Sequence, residues 1–257
     1  MSFPCFSGIE RRILGLLILF PFLGAMIFGT PYSYCVLTAI SIMMGWELKS
    51  ISGFLGFQGT LFASLIAISS LPFLVFGFSN QFEIAFTIAV LTSLFASTNC
   101  SLTVSIFAGF LSLCLSSSVA FLQIDEGNLK LVVLAIIIGA SDSSAYFCGR
   151  FFGAPKLMPL VSPNKTVSGG LFGLLASVAV TTMFKDFLNL ESLSGSIITG
   201  LLLGVLIQLG DLFESIVKRQ LGVKDSGRML FGHGGFLDRF DGYLFCVPAT
   251  YSLLYVL

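Results

Sequence analysis

Residues 129–148 read LKLVVLAIIIGASDSSAYFC. The run from Leu129 to Ala140 is almost unbroken in its apolar character, and it has neither the alternation of a half-buried strand nor the polar stripe of a surface helix. A bilayer-spanning helix needs about 20 mainly apolar residues. A transmembrane barrel strand would be shorter and would alternate. This stretch therefore reads as a membrane-crossing helix that carries a single acid, Asp142, near one end.

The same pattern recurs along the chain. Nine candidate spans run approximately over 12–29, 31–47, 60–78, 82–98, 102–122, 129–148, 169–185, 195–212 and 242–257. The expected fold is an all-α, polytopic transmembrane bundle. It forms a single membrane domain over 1–257, with N-terminal spans in 1–128 and a polar-motif half in 129–257. The stretch from Ile13 to Gly29 follows Arg11 and Arg12 as a signal peptide would. It contains Pro21 and no clear small-x-small cleavage site, so it reads as an uncleaved first span.

Composition agrees. Of 257 residues, 56% are hydrophobic and 10% charged, and the mean hydropathy is +0.99. Soluble domains carry roughly a quarter charged residues. The 13 Lys+Arg and 13 Asp+Glu cancel, so no basic excess awaits nucleic acid. Six scattered cysteines form no C-x-x-C pair, and one histidine cannot complete a zinc site. The basic residues set the expected orientation. Arg11, Arg12 and Lys49 lie inside, as do Arg150, Lys156, Lys165 and the polar stretch 211–241, while Asp125 and Glu126 lie outside.

The charges are unevenly spread. Between Lys49 and Asp125 only Glu83 intervenes, whereas 204–242 holds ten of the 26. Within that stretch Asp211, Glu214, Ser215 and Lys218 follow i, i+3, i+4, i+7 spacing and share one helix face. The eighth span thus continues as an amphipathic extension, and Gly222 is its expected stop. Lys224, Asp225, Ser226 and Gly227 form a turn. Gly232-His233-Gly234-Gly235 offers backbone N–H groups that can approach phosphate oxygens. A short helix follows, with Asp238, Arg239 and Asp241. Carboxylates that suit a hard cation, beside basic groups that neutralise phosphate, point to phosphoryl or nucleotidyl transfer.

The spacing is specific. Ser215-x-x-Lys218-Arg219, four residues, Lys224-Asp225-x-Gly227, then His233-Gly234-Gly235-x-x-Asp238-Arg239-x-Asp241 resembles the signature of the phosphatidate cytidylyltransferases, the CDP-diacylglycerol synthases. Asp142-x-x-Ala145-Tyr146 and Ser162-Pro163-x-Lys165-Thr166 resemble that family too. Phe231 stands where the family usually has proline. Ser143-Ser144 replaces the commoner Thr-Gly/Ala, and Ser168 a common glutamate.

The resemblance implies an enzyme that joins CTP to phosphatidate with release of pyrophosphate. It would use Mg²⁺, act as a homodimer and sit in a bacterial inner membrane with its site facing the cytoplasm. The expected metal ligands are Asp211 and Asp238, with Asp225 and Asp241 next. Lys218, Arg219, Lys224 and Arg239 are expected to hold phosphates, and Lys165 to reach a substrate headgroup. Asp142, Ser215, His233, Gly234 and Gly235 complete the expected binding set. Alternatives are a polyprenol kinase, a CDP-lipid synthase for another backbone, or a transporter. Against the last, spans three to five carry one acid near an end, where ion coupling usually needs more.

Overall fold

The computed structural model describes residues 24, 26–52, 88–92, 101–153, 155–159, 161–227 and 235–255. The described elements are α1 (Thr30–Ser52), α2 (Leu102–Phe121), α3 (Gly127–Phe152), β1 (Lys156–Met158), β2 (Ser162–Thr166), α4 (Val167–Met183), α5 (Leu193–Gln220), α6 (Leu237–Phe240) and α7 (Tyr243–Tyr255). Four of these helices are long and apolar enough to cross a membrane: Tyr32–Ser52 of α1, then α2, α3 and α5. The helix α4 and Tyr243–Leu253 of α7 are apolar but shorter. Six of the nine expected spans thus coincide with described helices. Of the span at 82–98 only 88–92 is described, as helix. The spans at 60–78 and nearly all of 12–29 lie outside the described residues.

Local chemistry sets the helix ends. Thr166 and Ser192 cap α4 and α5, each side-chain oxygen accepting an N–H, from Gly169 at 3.1 Å and Gly195 at 2.9 Å. The 28 residues of α5 make a rod about 42 Å long, more than the roughly 30 Å hydrocarbon core requires. Its C-terminal turns carry the charged face from Asp211 that the spacing predicts. The helix ends at Gln220, and Gly222 turns the chain at φ +71°.

One element departs from the all-α expectation. Between α3 and α4 the chain forms an antiparallel hairpin, pairing Lys156 with Thr166 and Met158 with Ser162 around an irregularity. Gly153, Pro155, Pro159 and Pro163 disfavour helix here, and the short strands satisfy their backbone groups across the turn.

The helices α3, α4 and α5 pack in sequence, and α7 lies against α2 and α5. Small residues and hydroxyls make the first contacts. Ser141 and Ser144 on α3 donate to the carbonyls of Gly173 and Phe172, both at 3.1 Å, and Ser177 on α4 donates to Gly200 at 2.9 Å. In an apolar slab such bonds and close backbone approach replace the hydrophobic drive. Two apolar cores result. One gathers Phe121, Leu134, Ile137, Leu203 and Val247. The other gathers Leu48, Phe107, Leu111, Val217, Phe236 and Leu244, and it underlies the segment that carries Asp238.

Candidate functional site

The charged face of α5 meets two neighbours. At its start Asp211 forms an ion pair with Lys165 of β2 at 2.5 Å. One turn and two turns further on, Glu214 and Lys218 form a second pair at 3.3 Å. Glu214 is fully buried, so its charge must be matched locally. Lys218 also donates to Asp238 of α6 at 2.8 Å. The ammonium therefore clamps α6 onto α5.

Asp238 organises the turn around it. Its carboxylate accepts from Lys218, from the N–H of Ser226 at 3.0 and 3.2 Å, and from the N–H of Gly235 at 2.7 Å. Burial works to raise its pKa, but Lys218 and these two peptide groups outweigh it and hold the carboxyl below the usual range. Asp241, one turn on, has the opposite environment. Burial, and then the charges of Asp211 and Asp142, push it up to about 7, against the N–H of Gly242 and the charge of Lys218. Three carboxylates from α3, α5 and the α6–α7 junction thus sense one another at one place.

Two cavities meet there. The first, about 410 Å³, is walled by apolar side chains of α1, α2 and α3, including Leu37, Ile40, Met44, Leu115 and Ala135. Its charged lining is Asp142, Asp238, Arg239 and Asp241. The second, about 540 Å³, is lined by Arg150, Lys165, Thr166, Gln208 and Asp211, and also by Asp142. Asp142 stands exposed in the wall of both.

Most of the expected residues fall around this junction or on its flank. Asp142, Lys165, Asp211, Asp238, Arg239 and Asp241 line the cavities. Lys218 stands beside them as the partner of Asp238. Ser215 is half-buried on α5. Arg219 is exposed and reaches the hairpin, donating to the carbonyl of Val161 at 3.4 Å. Lys224 and Asp225 stand exposed on the turn after α5. Gly235 is buried and donates to Asp238. His233, Gly234 and Phe231 lie outside the described residues.

Glu47 was not among the expected residues. It lies near the end of α1, is 2% exposed, and accepts from the N–H groups of Phe236 and Leu237, both at 2.9 Å. Its one sequence signal is an acid inside an otherwise apolar span, the criterion that singled out Asp142.

The chain is similar in sequence to known proteins. A sequence model described as "Cytidylyltransferase family" matches residues 9–257. Relatives named "Phosphatidate cytidylyltransferase" include one from Brucella abortus biovar 1 (strain 9-941), 45% identical over 152 residues, which are 58% of this chain and 53% of the relative. Another, from Bacillus subtilis (strain 168), is 39% identical over 153 residues, 59% of this chain and 57% of the relative. A third, from Staphylococcus epidermidis (strain ATCC 12228 / FDA PCI 1200), is 42% identical over 130 residues, half of each chain. The matched stretch spans about half the length of these curated relatives. With acids, bases and two cavities converging at one junction, and a family match over nearly its full length, the chain belongs to the cytidylyltransferase family.

Proposed function

We propose that this protein makes CDP-diacylglycerol, transferring the cytidylyl group of CTP to phosphatidate with release of pyrophosphate. One observation carries the reading: an apolar cavity and a polar cavity share Asp142 as a wall, with Lys165, Asp211 and Asp241 at the junction. A lipid phosphate needs an apolar seat for its tails and a charged mouth for its head. A nucleoside triphosphate needs the reverse. The relatives' name supplies the two substrates that match.

In the reaction, an oxygen of the phosphatidate phosphate attacks the α-phosphorus of CTP. A new P–O bond forms, and the bond from the α-phosphorus to the bridging oxygen breaks, so that pyrophosphate leaves with the electron pair. The attacking phosphate is already ionised, so no side chain need act as nucleophile or strong base. The residues contribute positioning and charge neutralisation. Lys165 exchanges Asp211 for a phosphate oxygen as substrate arrives, and Arg150 and Arg239 flank the polar and lipid sides.

The side chains suit Mg²⁺. Asp142, Asp211 and Asp241 are hard oxygen donors whose mutual repulsion a cation would relieve. Among the described residues no three acid, histidine or cysteine side chains form a complete metal cage. That fits an ion which binds one or two carboxylates and completes its shell with phosphates and water. Asp211 and Asp241 are the better ligands, because Asp238 already spends its oxygens on Lys218 and two peptide N–H groups. When bound, the ion would supply neutralisation of phosphate charge.

The proposal extends to nine spans, a bacterial inner-membrane location with the junction toward the cytoplasm, and a homodimer. Cytosolic CTP and the basic residues near the site support the orientation. The test is direct. Detergent-purified protein with Mg²⁺, phosphatidate and cytosine-labelled CTP should yield a labelled lipid. Failure to do so across several lipid and metal conditions refutes the activity. Labelling of polyprenol or another lipid backbone in place of phosphatidate would reassign the acceptor.

A further inference from the structure

We propose that Glu47 is a positioning residue for this reaction: from α1 it holds Ser226, Phe236 and Leu237, so that Asp238, Arg239 and Asp241 keep their aim. The inference rests on cytidylyl transfer at this site. Glu47 lies 179 to 190 residues from its partners. Its Oε1 accepts from the N–H of Phe236 at 2.9 Å. Its Oε2 accepts from the N–H of Leu237 at 2.9 Å and from the hydroxyl of Ser226 at 3.3 Å.

Among the described residues Glu47 forms no ion pair with lysine or arginine. A buried carboxylate is costly unless its oxygens are satisfied. Here they are satisfied by donors on Ser226, Phe236 and Leu237. The backbone is shaped for close approach. A Cβ on Gly227 or Gly235 would lie 2.6 or 2.5 Å from a Glu47 oxygen.

The donors are also the right ones for positioning. Phe236 and Leu237 immediately precede Asp238, and Ser226 donates its own N–H to Asp238. Glu47 thus holds Ser226 and the Phe236–Leu237 pair, the two places whose neighbouring N–H groups Asp238 also binds. Its helix is seated in the core: Ile40, Met44 and Leu48 are buried with Phe236 and Leu237. The N-terminal half thereby sets the position of side chains whose motif lies wholly in the C-terminal half.

Glutamine tests the idea closely, since it keeps the size but has one acceptor oxygen and sets an amide NH₂ against a peptide N–H. For Glu47→Gln we expect kcat to fall at least tenfold with KM for CTP within twofold. Amide exchange should quicken at Phe236 and Leu237 and stay unchanged in α4 and α5. Ser226→Ala removes one donor of three, and should cost two- to fivefold in kcat with a smaller gain in exchange. It carries the test if Glu47→Gln does not accumulate. A kcat within twofold of wild type for Glu47→Gln, or unchanged kcat and exchange for Ser226→Ala where only that variant accumulates, overturns the proposal. So does faster exchange spread through α4 and α5, which would mark a general loss of fold. If the wild type itself turns over no CTP with phosphatidate, the reaction is misassigned, while amide exchange still decides the tether.

Discussion

Replacing Lys218 by methionine removes the cation between two carboxylates and leaves its stem volume roughly intact. The side chains of Lys218, Glu214 and Asp238 are 14%, 1% and 11% exposed, so little solvent screens the loss. Breaking a buried ion pair from one side costs about 3–5 kcal/mol where the partner's charge stays buried. Asp238 keeps the N–H groups of Ser226 and Gly235, and a buried carboxyl such as Glu214 takes up a proton when its cation is gone. A smaller loss, about 1–3 kcal/mol, is therefore expected, roughly five- to a hundredfold in the folding equilibrium. Glu214→Gln/Lys218→Met places a neutral side chain there outright and should recover about 1 kcal/mol. Unfolding titrations from mild detergent into SDS read both quantities. A Lys218→Met variant within about 0.5 kcal/mol of wild type, or a double variant no more stable than the single, would refute the clamp.

Three further outcomes are expected. Lys165→Met should raise KM for CTP and lower turnover at least a hundredfold; its stability should change by less than about 1 kcal/mol, since the Lys165 and Asp211 side chains are 24% and 36% exposed. Unchanged kinetics would remove Lys165 from the site. Gly139 borders the apolar cavity, and a Cβ there meets nothing within 4 Å. Gly139→Leu should therefore raise KM for phosphatidate severalfold and spare KM for CTP, and a change in the CTP constant instead would misplace the lipid. A Cβ on Gly200 would sit 2.7 Å from the Cα of Val178, so Gly200→Ala should force α4 and α5 apart at a cost of about 1–3 kcal/mol, read in the same SDS titration; a neutral change would refute that close packing.

Several features were legible from residue order because their causes are local. A helix interior depends on apolar length, and a shared face on i, i+3, i+4 spacing. Hence α2, α3 and α5, the charged face of α5, its stop at Gly222, the short helix carrying Asp238 and the opening of α4 at Thr166 all follow from short stretches. The hairpin was harder to read. The pairing of Lys156 with Thr166 depends on where the chain returns.

The shortage of charge marked apolar spanning helices in the sequence, the crowding of charge into 204–242 marked where chemistry sits, and the motif spacing there carried the family resemblance. Which of those charges act together was decided by tertiary packing. Asp238 met Lys218 and the N–H groups of Ser226 and Gly235 only when α6 folded against α5. Asp142 looked like an isolated acid until two cavities closed on either side of it. Glu47 gained its partners only when α1 came to lie against Ser226, Phe236 and Leu237. The physical reason is common to all three. A carboxylate's role depends on which donors and charges stand within a few ångströms of it, and in each case those come from parts of the chain far away in sequence.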